Sequence, residues 1–464
     1  MTAAAAGGTG PDDGRRVRWA RWRRPVGTRR PTGTRRPALV AVVAVVVLGA
    51  SLAACSSTEG ATTPTTGSGG TSPAAIPTSA YSDHTGITAT TVSVGNVSSL
   101  LDGIFKGAAV GTEAYADYVN STGGVNGRRI LVDSGDDGYS GAPNKQETQQ
   151  DIERDFAMVG SFSLFDNFGG QVLRENPQVP NVTVTLDEAT AALPNSFSPA
   201  PTPGGWILGP LVYFKQKFPD QVKATGALVA DEPSATSRWA AEEAAMVHVG
   251  YKVVYDPTFD ITTTNFNQYV VDMKNAGVKI LFMEQMPQNY AASVIQALNQ
   301  QDFHPVVVLG GSTYSQELVS DAGGAAAIDG AYMEQNTSLY LGEDAASIPA
   351  VHTFLTWVQK ASPGFHADLY TLYGWLSAEL FAQALKSAGA YPSRGSLLAA
   401  LHHITSFSGG NLVGNANPAD RIPTNCYIIA RIEKGRYQRL DDPPVNGPTH
   451  GYRCDQPFYY YPPR

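Results

Sequence analysis

The chain runs to 464 residues, with 47 Gly, 31 Pro and 42% hydrophobic residues, enough for a large core and for more than one folding unit. Its charge is divided unevenly: residues 1–54 hold ten Arg, no Lys and two Asp, and removing these from 33 basic and 41 acidic residues leaves 23 against 39. So acidic a body excludes nucleic acid as a partner, because phosphate recognition needs clustered Lys and Arg.

The basic N-terminus has a separate job. Ten arginines between Arg15 and Arg36 precede the apolar run Ala38–Leu48, and small residues then lead to Leu52-Ala53-Ala54-Cys55. Arginine stays on the cytoplasmic side while an apolar segment enters the bilayer. An uncleaved membrane span is the competing reading, since roughly 17 apolar residues sit at the lower limit for one. Leu-Ala-Ala-Cys resembles the bacterial lipobox, in which the cysteine is acylated and becomes the first mature residue. That resemblance implies a signal peptide over 1–54 and a lipid on Cys55, which tethers the protein at the membrane without making it integral. Residues 55–85 are rich in Ser, Thr, Gly and Pro and almost uncharged, the composition of a flexible linker.

From residue 90 the pattern changes to strand–helix alternation. Short β-branched runs predict strands at 91–95, 129–133, 156–160, 181–185, 223–230, 252–256, 279–283 and 305–309. Between the last two, Ala291, Val294, Ile295 and Leu298 follow the i, i+3, i+4, i+7 spacing of a buried helical stripe over 289–300. Such alternation implies parallel sheets covered on both faces, and ligands in these folds bind beyond the carboxyl ends of the strands.

Two cysteines remain near the C-terminus, Cys426 and Cys454. Outside the cell such a pair is more often a disulfide than two thiols; a metal site is the weaker alternative, because two Cys without clustered His lack the ligands of a closed zinc site. His402-His403, His352 and His366 match no metal-ligand spacing. There is no G-x-S-x-G elbow, no phosphate loop and no G-x-G-x-x-G after the first strand, so neither a cofactor nor an enzymatic activity is expected.

One segment is more specific. A helix ends at Asn120-Ser121-Thr122-Gly123-Gly124, and Val125-Asn126-Gly127-Arg128-Arg129 turns into a strand that leads to Asp136-Asp137-Gly138-Tyr139. Here the chain resembles the type I periplasmic binding proteins, in the leucine/isoleucine/valine and amide branch. The likeness continues through Phe156–Ser161, Met273–Val278, Phe303-His304-Pro305, Gly310-Gly311 and the hairpin Arg431–Tyr437. It implies an α/β fold of two Rossmann-like lobes with parallel sheets, joined by hinge crossovers near 206, 336 and 406. Lobe one is then 86–206 with 337–405, and lobe two 207–336 with 406–464. Closure of the lobes on a ligand would be a rigid-body motion.

The ligand candidates come from strand ends and from the resemblance together. Ser161-Phe162-Ser163 offers free N–H groups and hydroxyls after a strand, a natural anion site, although capping by Ser explains the same residues. Thr185, Asp137 and Tyr139 lie on neighbouring loops. In the second lobe the candidates are Ser234, Ser312, Thr313 and Tyr314. Amino-acid binders of this family commonly carry a carboxylate in the 310–314 stretch; this chain has none, and Glu284 and Gln285 are the substitutes one loop earlier. The implied ligand is a small polar molecule such as an amino acid, an amide or a related small acid. The implied role is a lipid-anchored receptor on the extracytoplasmic face, delivering that ligand to an ABC permease. A sensor reporting to a membrane regulator is the alternative.

Overall fold

The computed structural model describes residues 75–100, 103, 105–202, 204–454 and 459–461. The expected signal peptide, Cys55 and most of the linker lie outside these residues. The linker's expected end at 85 is too late, however. Thr78–Ser82 forms a 3-10 turn, and the carboxylate of Asp83 pairs with the buried Arg394 at 2.9 Å. Arg394 also donates to the carbonyls of Phe156, at 3.2 Å, and Ile152, at 2.7 Å. Composition alone misplaced this boundary, because Ala80 is small yet fully buried.

The first sheet is built from β1 (Thr91–Ser98), β2 (Arg129–Asp136), β3 (Ala157–Val159), β4 (Asn181–Val182) and β5 (Ser196–Phe197). Its order is β2-β1-β3-β4-β5 and every pairing is parallel. The helices α1 (Lys106–Ser121), α2 (Gly141–Arg154), α3 (Asp166–Glu175) and α4 (Glu188–Ala191) alternate with these strands. After α1, Asn126 and Gly127 take φ of 50° and 78°, the paired left-handed conformation of a tight hairpin-type turn, which returns the chain into β2.

The chain then passes to a second sheet through β6 (Trp206–Ile207) and α5 (Gly209–Lys217). The elements that follow, in chain order, are β7 (Thr225–Ala227), β8 (Val229–Ala230), α6 (Pro233–Val249), β9 (Val253–Tyr255), β10 (Thr258–Phe259), α7 (Asn267–Ala276) and β11 (Ile280–Met283), of which β8 and β10 pair with each other as a separate parallel two-stranded sheet. They continue with α8 (Gln288–Gln300), β12 (Val306–Leu309), α9 (Leu318–Asp321), α10 (Ala325–Ile328) and β13 (Tyr332–Gln335). Three further helices, α11 (Pro349–Ala361), α12 (Leu369–Ser387) and α13 (Arg394–Leu401), precede β14 (Ile428–Glu433), β15 (Arg436–Arg439) and β16 (Tyr459–Tyr460). The second sheet runs β15-β14-β13-β12-β11-β7-β9, parallel except where β14 and β15 join antiparallel. The fold is the α/β arrangement with parallel sheets that the alternation predicts. Among the described residues no helix is long and apolar enough to cross a membrane.

α11, α12 and α13 return to the first sheet's helices. α12 packs on α1 without side chains between them at two points: a Cβ on Gly111 would stand 1.9 Å from the Thr371 carbonyl, and one on Gly374 2.0 Å from the Ala108 carbonyl. The segments joining the sheets are themselves paired. Thr337 bridges Val413 antiparallel, with Ser338 N–H donating to the Leu412 carbonyl and Gly414 N–H to the Asn336 carbonyl. β6 pairs with β16. Cys426 and Cys454 are disulfide-bonded, their Cα atoms 4.2 Å apart.

Candidate functional site

Six of the residues singled out in the sequence meet at the carboxyl end of the first sheet. Beyond β3, the Ser161 hydroxyl accepts from Val97 N–H at 3.0 Å, and Phe162 N–H donates to the Ser98 hydroxyl at 3.1 Å. Ser163 donates to Asp137 in a short hydrogen bond and accepts from Phe165 N–H at 2.9 Å. α3 begins only at Asp166, with no side-chain cap, so these hydroxyls close a turn ahead of the helix and do not cap it. Asp137 is fully buried. It also accepts from Ser99 at 2.7 Å, Tyr139 N–H at 3.0 Å and Asn144 at 3.0 Å, so both its oxygens are spent on fixing the loops. Tyr139 lies 5.9 Å from Phe105. The Phe162 ring lies 4.8 Å from Tyr370 and 6.1 Å from Tyr373 of α12.

Thr185 joins this group through its hydroxyl contact with Thr183, at 3.1 Å. Ser161, Ser163, Thr183, Thr185, Asn144 and Asp166, together with Val97, Met158, Leu173 and Val184, line a cavity of about 40 Å³, large enough for ordered water. Burial pushes the Asp166 carboxyl up to about 7, although it accepts from Leu186 N–H at 2.6 Å and Asp187 N–H at 3.2 Å.

The second group stands at the carboxyl ends of β11 and β12. The Ser312 hydroxyl donates to the carbonyls of Glu284, at 3.0 Å, and Met286, at 2.9 Å, which locks the two strand-end loops together. Gly310 is required there, since a Cβ would meet Glu284 at 2.9 Å. Gln285 donates to Glu242 of α6 at 2.8 Å. Glu242, Glu284 and Glu334 are all buried and lie within electrostatic reach of one another. Burial, reinforced by these like charges, raises Glu284 well above the usual carboxylate range, and burial carries Glu242 to about 8. Three carboxyls so placed favour sharing protons over full ionisation. Arg238, one turn before Glu242 on α6, supplies the positive charge nearby.

The remaining candidates fall elsewhere. Thr313 is fully buried and its hydroxyl donates to the Gly310 carbonyl at 2.8 Å. Tyr314, a candidate ligand contact, is 1% exposed. Its ring is held edge-on by Tyr340 at 4.9 Å and Tyr437 at 4.7 Å, and its hydroxyl donates to Glu343 at 2.6 Å. Ser234 sits half-buried in the first turn of α6.

The two groups come together along the N-terminal half of α12. Tyr373 packs on Phe162 and lies within electrostatic reach of Arg238. Leu369 reaches within 4.0 Å of where a Gly311 Cβ would stand. Just before α12, His366 hydrogen-bonds to Glu317. Sequence patterns did not single out Arg238, Glu242, Glu334 or Tyr373. Glu334 carried a usable signal: a carboxylate inside the strand Tyr332-Met333-Glu334-Gln335 has to find partners. Among the described residues no three or more His, Cys, Asp or Glu converge on a metal position.

A family model described as periplasmic binding protein matches residues 93–436. The chain belongs to that family. Among curated relatives, it is 22% identical over 297 residues to a Leu/Ile/Val-binding protein homolog of Brucella abortus, covering 60% of this chain and 72% of the relative. Among solved structures, a fatty acid ABC transporter substrate-binding protein from Thermomonospora curvata superposes with TM-score 0.63 at 17% identity, covering 82% of this chain and 94% of that one. An R. palustris solute-binding protein in complex with 4-hydroxybenzoate gives TM-score 0.64 at 16% identity, covering 79% and 98%. The periplasmic binding protein fold of type I is thus established, and the family is one of substrate-binding proteins that serve ABC transporters outside the cytoplasm.

Proposed function

We propose that this protein is a lipid-anchored receptor that captures a small acid or amino acid between two lobes and hands it to an ABC importer, without itself catalysing a reaction. The lobes are 86–206 with 337–405 and 207–336 with 406–464. The observation that carries the reading is chemical asymmetry between two strand-end groups that meet beside α12. The first group presents hydroxyls, Ser161 and Thr185 among them, on the lining of its cavity, suited to hydrogen-bonding a carboxylate. The second presents Glu284 beside Glu242 and Glu334, suited to an ammonium or amide N–H. Glu284 thereby takes over the part for which the 310–314 loop has no acid. A buried ammonium without a carboxylate is costly, and this cluster removes that cost.

The test is a thermal-shift panel of L-leucine, acetamide, 4-hydroxybenzoate and octanoate on the mature protein. A ligand at 100 times its Kd stabilises by about 2.7 kcal/mol through mass action, so a true ligand raises the melting temperature in proportion to the logarithm of its concentration. A flat response to the whole panel would sink the small-acid reading. For the anchor, Cys55→Ser is expected to release the protein from the membrane fraction; full retention would restore the uncleaved-span reading.

A further inference from the structure

The family match ends at residue 436 and the last strand of the second sheet at Arg439, yet the chain continues to Arg464. The segment after Arg439 is tied down with unusual thoroughness. Arg439 donates to the Gly451 carbonyl at 2.7 Å and pairs with Asp344 at 2.7 Å. Arg453 pairs with Asp442 at 3.0 Å. Tyr427 and Arg453 exchange both backbone hydrogen bonds, at 2.9 and 2.8 Å, beside the Cys426–Cys454 bond.

Beyond that anchor, β16 pairs antiparallel with β6, Tyr459 opposite Ile207 and Tyr460 opposite Trp206. The approach is close. The Tyr460 carbonyl stands 2.4 Å from where a Gly205 Cβ would be, and the Tyr460 ring stacks on His248 of α6 at 4.4 Å. Arg238 covers the other partner, lying over the Trp206 ring at 4.6 Å. The disulfide's own neighbourhood reaches the same place, since the Tyr427 ring stands 2.2 Å from where a Gly209 Cβ would be. The second and third links between the sheets pair with each other, as Thr337 and Val413 do. The first link has β16 as its strand partner.

We propose that the C-terminal tail is a disulfide-anchored strap that completes the first crossover and limits how far the two sheets swing apart. This rests on reading the sheets as lobes that move. A crossover strand with no ladder partner exposes its backbone polar groups and bends freely; the strap removes that freedom and ties the crossover, through Cys454 and Cys426, to the entry of β14.

The test needs no ligand, so it stands apart from the binding experiment. Hydrogen exchange is measured on the mature Cys55→Ser protein, on a version ending at Cys454, and on Gly205→Ala, whose methyl displaces Tyr460. In both altered proteins we expect the β6 amide that faces β16 to exchange about tenfold faster or more, as local opening requires, while β1 and β11 amides keep the parent's rates. Spin labels at Tyr391 and Ile261, which are 87% and 45% exposed, should show a broader distance distribution in the shortened protein. Unchanged exchange at β6, or an unchanged distribution in a shortened protein whose β1 and β11 remain protected, overturns the proposal. If the shortened protein does not fold, Gly205→Ala decides by the same two readings.

Discussion

At the residue scale the most consequential group is the Glu242–Glu284–Glu334 cluster. Burial raises the pKa of all three carboxyls, Glu242 to about 8, and at Glu284 the charges of Glu242 and Glu334 add to that rise. A group whose folded pKa lies above its unfolded value contributes stability that is present below the unfolded value and lost as pH rises through the folded one. The protein should therefore lose stability from about pH 5 to about pH 8. Glu284→Gln keeps a hydrogen-bonding head without the charge, so we expect it to exceed the parent by about 1–2 kcal/mol at pH 8 and to converge with it near pH 5. Urea titrations at both pH values check this; an equal gap at both would remove the shared-proton account. The same residues show what a sequence conceals. Glu284 was legible because it ends an obvious strand. Glu242 was not, since an acid on an Ala-rich helix looks solvated until the fold turns that face inward. Asp137 and Tyr314 illustrate the converse: each sits on a strand-end loop, where polar groups suggest contact with a ligand. Each is instead surrounded by partners remote in sequence, Ser99 and Ser163 for one, Tyr340 and Tyr437 for the other.

At the scale of elements, β1 to β4, β7 to β9, β11 and β12 overlap the β-branched runs, and α8 spans Gln288–Gln300 against an expected 289–300. The two-residue strands β5, β6 and β16 had no such signal, because so short a pairing depends on a neighbour's position and not on local pattern. Helix packing was equally hidden. Nothing local distinguishes Gly111 and Gly374, yet each lies against a backbone carbonyl of the other helix. Gly374→Ala should cost about 2–3 kcal/mol, more than an exposed helical glycine would ever gain from the same change, because rigid backbone cannot move aside. Measuring the urea midpoint settles it: a neutral or stabilising result would mean that α1 and α12 are able to separate.

For the whole molecule, the disulfide closes a loop of sequence separation 28, which in the chain-entropy model contributes about 3–4 kcal/mol. Cys426→Ser is expected to lower the melting temperature in oxidising buffer and to match the reduced parent in dithiothreitol; an equal deficit in both buffers would show that the bond is not what stabilises the tail. The contact between α1 and α12 has a further bearing, on biogenesis. These helices lie near opposite ends of the polypeptide, and glycine lets them touch main chain to main chain. The N-terminal layer thus lacks one of its walls until ribosomes have made the residues up to Ser387.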